Sequence, residues 1–250
     1  MIEVALTALG VGSATIIGAL FGFLFKDLTQ KWSKIFLSFA GGIMLSASIF
    51  GLILPSLEFG GKFALIITVV GIFVGALCLN FIDKLTPHLH KMIGSDIEEH
   101  KSTSLNKVLL FVMAIAIHNL PEGIAAGVGF GTEDTTYGIL IALGIALQNI
   151  PEGMVIIAPM INAGVSKKKT LLIASITGLV EVVGTFLGYF AVSVANVILP
   201  FALAFAGGTM LYVVSDEMIP ETHSDGNKRG VTYSLLVGFC LMLILDVLLG

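Results

Sequence analysis

The sequence predicts an all-α membrane protein with eight membrane-spanning helices. Hydrophobic residues make up 56% of the 250-residue chain and charged residues only 12%, whereas soluble domains carry about 25% charged residues. Runs of about 20 apolar residues, the length that crosses a bilayer as a helix, recur along the whole chain. The 29 glycines favour helices that pack backbone to backbone in lipid.

The apolar runs are separated by short polar segments. The eight spans are predicted at 3–25, 34–57, 62–83, 107–130, 136–162, 169–193, 196–220 and 231–249. The boundary between the sixth and seventh spans rests on Pro200, since no other clear helix-breaking residue lies there. The longest connection is the polar loop 84–106, which carries His88, His90, Glu98, Glu99 and His100.

The basic residues predict the orientation of the spans. Twelve of the 13 Lys and Arg residues fall in the first, third, fifth and seventh loops, and only Lys62 falls in an even-numbered loop. Because loops rich in Lys and Arg stay in the cytoplasm, both termini are predicted on the outer side and loop 84–106 inside. The Lys run at 167–169 is interpreted as an anchor to anionic lipid. Apart from this run there is no basic stripe, so nucleic-acid binding is not expected.

Two predicted spans repeat one segment. Phe-Ala-Gly-Gly-Ile-Met-Leu occupies 39–45 and Phe-Ala-Gly-Gly-Thr-Met-Leu occupies 205–211, and a proline follows each, at Pro55 and Pro220. In the predicted orientation the two spans run in opposite directions. The first three and last three spans are therefore predicted to form an inverted repeat, as in many transporters. The alternative is chance similarity between two Gly-rich apolar helices.

A second repeat places polar residues in the middle of two consecutive spans. His-Asn-Leu-Pro-Glu-Gly occupies 118–123 in the fourth span, and Gln-Asn-Ile-Pro-Glu-Gly occupies 148–153 in the fifth. Because these spans are antiparallel, the two motifs are predicted to face each other near the bilayer midplane. Each proline also leaves the carbonyl four residues earlier, at Ile117 or Leu147, without its helical donor, and transporters often offer backbone oxygen to ions in this way.

The polar residues of the motifs form the candidate metal site. His118 and Glu122 lie one helical turn apart, as do Gln148 and Glu152, so each pair shares a helix face. Asn119 and Asn149 stand beside them.

Carboxylates at this depth need a compensating charge. Each costs about 2.5–3.5 kcal/mol to place in hydrocarbon, and Glu181, midway along the sixth span, is a third after Glu122 and Glu152. The spans supply no Lys or Arg for them, so only protons or a cation can compensate their charge, and a divalent metal does so best.

The donor types indicate which metals are suitable. Imidazole, carboxylate and amide oxygen suit Zn²⁺ and also Fe²⁺, Mn²⁺ or Cd²⁺, whereas Cu(I) prefers thiolates. The alternative for His118 is a hydrogen bond between helices, and for the glutamates a proton relay. Cys78 and Cys240 are predicted to be buried bystanders rather than a disulfide or metal ligands.

The two motifs together resemble the signature of the ZIP (Zrt/Irt-like) metal transporters, especially their bacterial branch. The Phe-Ala-Gly-Gly segments and Ser-Asp-Glu-Met-Ile-Pro-Glu-Thr-His at 215–223 are also similar to that branch. The resemblance covers essentially the whole chain. It implies a multi-pass plasma-membrane protein (bacterial or archaeal inner membrane), with helices arranged as three plus two plus three, a homodimer, and metal movement toward the cytosol.

The resemblance also implies a two-metal site at mid-membrane. Its first metal would be bound by His118, Glu122, Gln148 and Glu152. Its second would be bound by Asn119, Glu122, Asn149, Glu152 and Glu181. Some relatives have Asp where this chain has Asn149, and the lost charge weakens the second position.

Other polar residues are candidates for the entry and exit of metal. Glu58 and Met44 are the entry-side candidates. Asp83, His88, Glu217 and His223 resemble an exit route on the cytoplasmic side. The alternatives are ordinary solvated residues, and simple packing for Met44. A role of loop 84–106 in zinc sensing or delivery is a further hypothesis.

Transport without ATP is the predicted mechanism. The chain lacks Gly-x-x-x-x-Gly-Lys-Ser/Thr, so a built-in nucleotide motor is not expected, and alternating access is predicted instead. By the resemblance, spans one, four, five and six move as a unit. Two alternatives remain: a passive divalent-cation channel, and an intramembrane metalloprotease, whose His-Glu-x-x-His motif is missing. No enzymatic activity and no cofactor are expected, since the metal is the cargo.

Overall fold

The computed structural model describes residues 1–24, 30–85, 116–132, 135–224 and 228–249. Within these ranges the regular structure is entirely helical. The helices are α1 (Ile2–Leu24), α2 (Gln30–Ser48, continued by a π-helical turn at Ile49–Ile53 and by Leu54–Phe59), α3 (Ala64–Leu85), α4 (116–129), α5 (Thr135–Asn162), α6 (Lys167–Val194), α7 (Leu199–Val213, continued by a π-helical turn at Val214–Met218 and by Ile219–His223) and α8 (Lys228–Leu249).

Seven of these helices are long and apolar enough to cross a membrane, which confirms an all-α, multi-pass membrane protein. Their positions match seven of the eight predicted spans. The predicted span 107–130 is described from residue 116 onward, where it is helical to residue 129. The count of eight spans and the layout of three plus two plus three therefore stay predictions. Most of loop 84–106, including His88, lies outside the described residues.

The predicted break at Pro200 lies just inside the seventh helix. α6 ends at Val194, a short 3-10 turn covers Asn196–Ile198, and α7 begins at Leu199. Proline is tolerated in the first turn of a helix because its missing N–H would have no partner there in any case.

α1 and α6 cross each other. α1 also lies along α5, α6 lies along α4, α2 contacts α5 and α8, and α3 lies along α7. Gly12 and Gly178 form the α1–α6 crossing, where a side chain on either residue would meet the backbone carbonyl of the other. Close backbone approach of this kind drives helix association in membranes.

The glycine contacts repeat at an offset of 166 residues. Gly18 of α1 packs on Ile150 of α5, and Gly184 of α6 packs on Leu120 of α4. Ile150 and Leu120 hold the same position in the two hexapeptide motifs. α1 thus meets α5 as α6 meets α4, which supports the predicted internal repeat.

The two π-helical turns fall at corresponding places in α2 and α7. Each turn ends two residues before a proline, Pro55 in α2 and Pro220 in α7. A proline removes the helical hydrogen bond to the carbonyl four residues earlier, and in α2 this carbonyl is Gly51 O. The hydroxyl of Tyr137 from α5 donates to Gly51 O. The turn in α2 is thereby tied to α5.

Pro121 and Pro151 do not break their helices. Residues 116–129 form one continuous helix, and α5 runs through Pro151 and Pro159. Each proline removes a backbone hydrogen bond while the neighbouring helices hold the segment straight through. Tertiary packing makes such prolines tolerable in membrane helices.

The prediction for the cysteines is wrong in one respect. Cys78 and Cys240 are free thiols, but both are exposed rather than buried. They lie on α3 and α8, which are among the least buried of the candidate spans. An apolar run faces lipid or protein equally well, so hydropathy alone does not distinguish the two environments.

Candidate metal site

The polar residues of the two motifs lie in the interior of the helix bundle. Asn119, Glu122, Gln148 and Asn149 are each at most 1% exposed, and Glu181 of α6 is fully buried. Gly123 packs against the carbonyl of Glu181 and Gly153 against that of Thr15. The absence of a side chain at both glycines brings α4 onto α6 and α5 onto α1, and so places the motif residues together.

Glu122 and Gln148 are buried, and no described residue is their hydrogen-bond partner. Within the described ranges, neither carboxylate oxygen of Glu122 and neither polar atom of the Gln148 amide has a partner. Gln148 is a polar neighbour of Glu122, but the two do not meet the geometry of a hydrogen bond. Unsatisfied buried polar atoms are rare and costly, and a buried carboxylate is the costliest of them. These four atoms are consequently available to bind a cation.

Both oxygens of the Glu181 carboxylate accept hydrogen bonds. Its Oε1 accepts from Thr15 Oγ1 at 2.7 Å and from Asn119 Nδ2 at 2.6 Å, and its Oε2 accepts from Asn149 Nδ2 at 2.6 Å. The donors come from α1, α4 and α5. One carboxylate thus joins the four helices at the centre of the bundle.

His118 contacts α7. Its Nε2 lies 2.8 Å from Glu217 Oε1, in the π-helical turn of α7. Glu152, which is half-buried, lies close enough to His118 for an electrostatic interaction. A metal bound through Nε2 of His118 would therefore compete with Glu217 for that atom.

The carboxylates are close enough for their charges to interact. Glu122 interacts with Glu152 and with Glu181, and Glu152 interacts with Glu181. Like charges at this depth repel one another strongly because the surroundings screen them poorly. A cation between them relieves this repulsion.

Among the described residues, no three His, Cys, Asp or Glu side chains converge closely enough to hold a metal. Gln148, Asn119 and Asn149 are donors of another class, and His118 is engaged with Glu217. The structure brings the predicted ligands into one interior region, without gathering them around one point. The ligand assignment therefore stays a prediction.

The candidate entry and exit residues lie in different surroundings. Met44 is fully buried and Glu58 is exposed. Glu217 contacts His118, and His223 bonds within its own helix and to Thr232 of α8. Asp83 lies near the end of α3, and nothing of its side chain is described.

Two interior contacts were missed by the sequence reasoning. Thr15 donates to Glu181, and Tyr137 donates to Gly51 O. A signal for Thr15 exists, because the offset of 166 residues that relates the glycines of α1 and α6 also relates Thr15 to Glu181. No local pattern marks Tyr137.

Comparison with known proteins identifies the family. A sequence profile described as "ZIP Zinc transporter" matches residues 90–246. The chain is 39% identical to the zinc transporter GufA of Myxococcus xanthus, over 96% of each chain. It is 36% identical to the zinc transporter ZIPB of Bordetella bronchiseptica, over 95% of this chain and 78% of that protein. It is also 36% identical to the zinc transporter ZupT of Chlorobaculum parvum, over 95% and 94% of the two chains. Most of the profile's range falls on helices described above, and the chain belongs to the ZIP family.

Proposed function

We propose that this chain carries Zn²⁺ into the cytoplasm through the interior site between α4 and α5. Membership in a family of zinc transporters makes the chain a transporter rather than an enzyme. The observation that supports the site is the buried pair Glu122 and Gln148, whose polar atoms have no hydrogen-bond partner in the part of the chain that the structure describes.

The first metal position would use His118, Glu122, Gln148 and Glu152. This set combines one imidazole, two carboxylates and an amide oxygen, which suits Zn²⁺ and also accepts Fe²⁺, Mn²⁺ or Cd²⁺. Binding would draw His118 away from Glu217. Glu217 would then be free to meet the ion on its way out, with His223, Asp83 and His88 further along the exit.

The second metal position would use Asn119, Asn149 and Glu181 together with Glu122 and Glu152. A binuclear site of this kind accounts for the burial of three carboxylates in one interior region. Its occupancy depends on Glu181, whose two oxygens already accept three hydrogen bonds.

Alternating access without ATP is the proposed mechanism. The packing of α1 with α5 and of α6 with α4 fits a unit of four helices that moves against the rest. The uneven distribution of Lys and Arg supports an inner-membrane protein with both termini outside. Metal would enter past Glu58, and a homodimer follows from the family resemblance. A passive cation channel is the second candidate, since the same polar residues could line a pore.

Uptake of radioactive zinc into proteoliposomes tests this proposal. Glu122→Gln keeps the shape of the side chain and removes its charge, and Glu3→Gln makes the same change at an exposed position of α1. Loss of a buried charged ligand costs about 2–5 kcal/mol, so we expect uptake at low zinc to fall more than about tenfold in Glu122→Gln. Glu3→Gln should transport as the parent does.

The concentration dependence separates a carrier from a channel. A carrier saturates at low zinc concentration, whereas a channel does not. Uptake that does not saturate would contradict the carrier. Uptake that Glu122→Gln leaves unchanged, in protein with the thermal stability of the parent, would contradict the proposed site.

A further inference from the structure

Three other helices supply the hydrogen-bond donors of the Glu181 carboxylate. Thr15 of α1 and Asn119 of α4 donate to one oxygen, and Asn149 of α5 donates to the other. Hydrogen bonds to an ionised acceptor are roughly twice as strong as those between neutral groups. Glu181 is fully buried, so bulk solvent does not compete with the three donors.

The surroundings fix the orientation of both amides. Asn119 Nδ2 also donates to the carbonyl of Thr177 at 3.2 Å, and Asn149 Nδ2 also faces the carbonyl of Val11 at 3.5 Å. Carboxylate and carbonyl oxygens accept and never donate. A rotated amide would place its oxygen against two acceptors, so each asparagine presents nitrogen, which is not a metal ligand in a neutral amide, toward Glu181.

The two metal positions therefore differ in the hydrogen bonds that their ligands make before a metal binds. At the first position, Glu122 and Gln148 hold no hydrogen bond that a metal would have to break. At the second position, Glu181 already accepts three hydrogen bonds, and both amides would have to rotate to offer their oxygens to a metal. Because Nδ2 of Asn149 faces Glu181, its Oδ1, which has no hydrogen-bond partner among the described residues, is directed away from that carboxylate.

We propose that Thr15 is a positioning residue that sets the metal stoichiometry of the site. By donating to Glu181, Thr15 holds this carboxylate together with the two motif asparagines and weakens the second metal position relative to the first. This inference rests on the proposed zinc site. Thr15 contributes no metal ligand and acts only through Glu181.

Equilibrium dialysis of the purified full chain in detergent against Zn²⁺ tests the proposal. Thr15→Val keeps the shape of the side chain and removes the hydroxyl, while Thr15→Ser keeps the hydroxyl. We expect Thr15→Val to bind its second zinc ion roughly tenfold more tightly than the parent, because one charge-assisted hydrogen bond no longer competes. The affinity for the first ion should not change, and Thr15→Ser should behave as the parent.

Thr185→Val is the matched control. Thr185 is also fully buried, and its hydroxyl bonds to the backbone carbonyl of Glu181 within α6, so it does not touch the carboxylate. We expect its zinc binding to equal that of the parent. A second-ion affinity that Thr15→Val leaves unchanged, or that Thr15→Ser raises as much as Thr15→Val does, would overturn the role of Thr15.

Glu122→Gln in the same measurement separates this inference from the proposed site. If it abolishes binding of the first ion while the Thr15 variants match the parent, the role of Thr15 fails and the site stands. If Glu122→Gln binds both ions as the parent does, the proposed site fails and the role of Thr15 fails with it.

Discussion

The imidazole of His118 lies 2.8 Å from the carboxylate of Glu217, so the first residue of the α4 motif is held by the π-helical turn of α7. The two side chains are 15% and 24% exposed, which places the pair at the edge of the buried region. A candidate metal ligand is thus shared between the candidate site and the candidate exit.

We expect Glu217→Gln to raise the apparent affinity for zinc, because His118 loses a charged partner that competes with the metal. The pair is partly exposed, so the gain is modest, with KM lowered about two- to fivefold. Zinc uptake into proteoliposomes over a range of concentrations gives KM. Asp216→Asn, at the exposed neighbouring position, should leave KM unchanged. An unaltered KM in Glu217→Gln would mean that the pair does not compete with the metal.

Asn149→Asp should make the thermal stability of the protein more dependent on zinc. The change replaces a donor 2.6 Å from Glu181 Oε2 by a second carboxylate, and like charges at this distance repel. We expect thermal stability in chelator to fall by several degrees and the stabilisation by zinc to grow, because the metal binds only the folded protein. Melting curves with and without zinc give both values.

Asn162→Asp is the control for this change, since Asn162 is exposed at the end of the same helix. It should alter neither melting temperature. If zinc raises the melting temperature of Asn149→Asp by no more than it raises that of the parent, Asn149 does not contribute to a metal position.

The α1–α6 crossing should tolerate no methyl group. A Cβ at Gly12 would meet the carbonyl of Gly178, a backbone atom that cannot turn aside. Overpacking of this kind costs about 1–3 kcal/mol, so Gly12→Ala should lower the melting temperature. Gly10→Ala, on the same helix with open space around it, should not. Equal melting temperatures for the two variants would contradict this packing.

Tyr137→Phe should destabilise the contact between α2 and the start of α5. The change removes the hydroxyl that donates to Gly51 O. Pro55, four residues further on, has no N–H that could donate to this carbonyl. Leaving a buried carbonyl unpaired costs about 1–3 kcal/mol. Tyr233→Phe, where the parent side chain is 68% exposed, provides the comparison in thermal unfolding. A melting temperature for Tyr137→Phe equal to that of Tyr233→Phe would mean that the contact contributes little.

The spans could be predicted from the sequence because hydropathy is a property of each segment by itself. The two hexapeptide motifs also stand out locally, as polar residues in apolar surroundings. Seven predicted spans match described helices to within a few residues, and Glu122, Gln148 and Glu181 lie in the interior as predicted.

The remaining features depend on tertiary contacts that no local pattern encodes. The π-helical turns add one residue to a helical turn, and hydropathy does not detect this. The pairing of His118 with Glu217 joins residues 99 positions apart, so neither residue predicts the other. A threonine in an apolar helix is usually interpreted as a packing residue. Thr15 is distinguished only by the internal repeat, whose offset of 166 residues relates it to Glu181.

The hydrogen bond between Thr15 and Glu181 has a consequence for how the protein is made. Its partners are 166 positions apart, and a chain grows from its N-terminus. α4 and α5 therefore emerge with Asn119 and Asn149 before α6 brings the carboxylate that accepts from both. A nascent chain that ends at α5 holds these donors without that acceptor. The sixth helix to be synthesised is the one that supplies the acceptor at this polar centre, and premature termination before it leaves an assembly intermediate whose polar centre is unfinished.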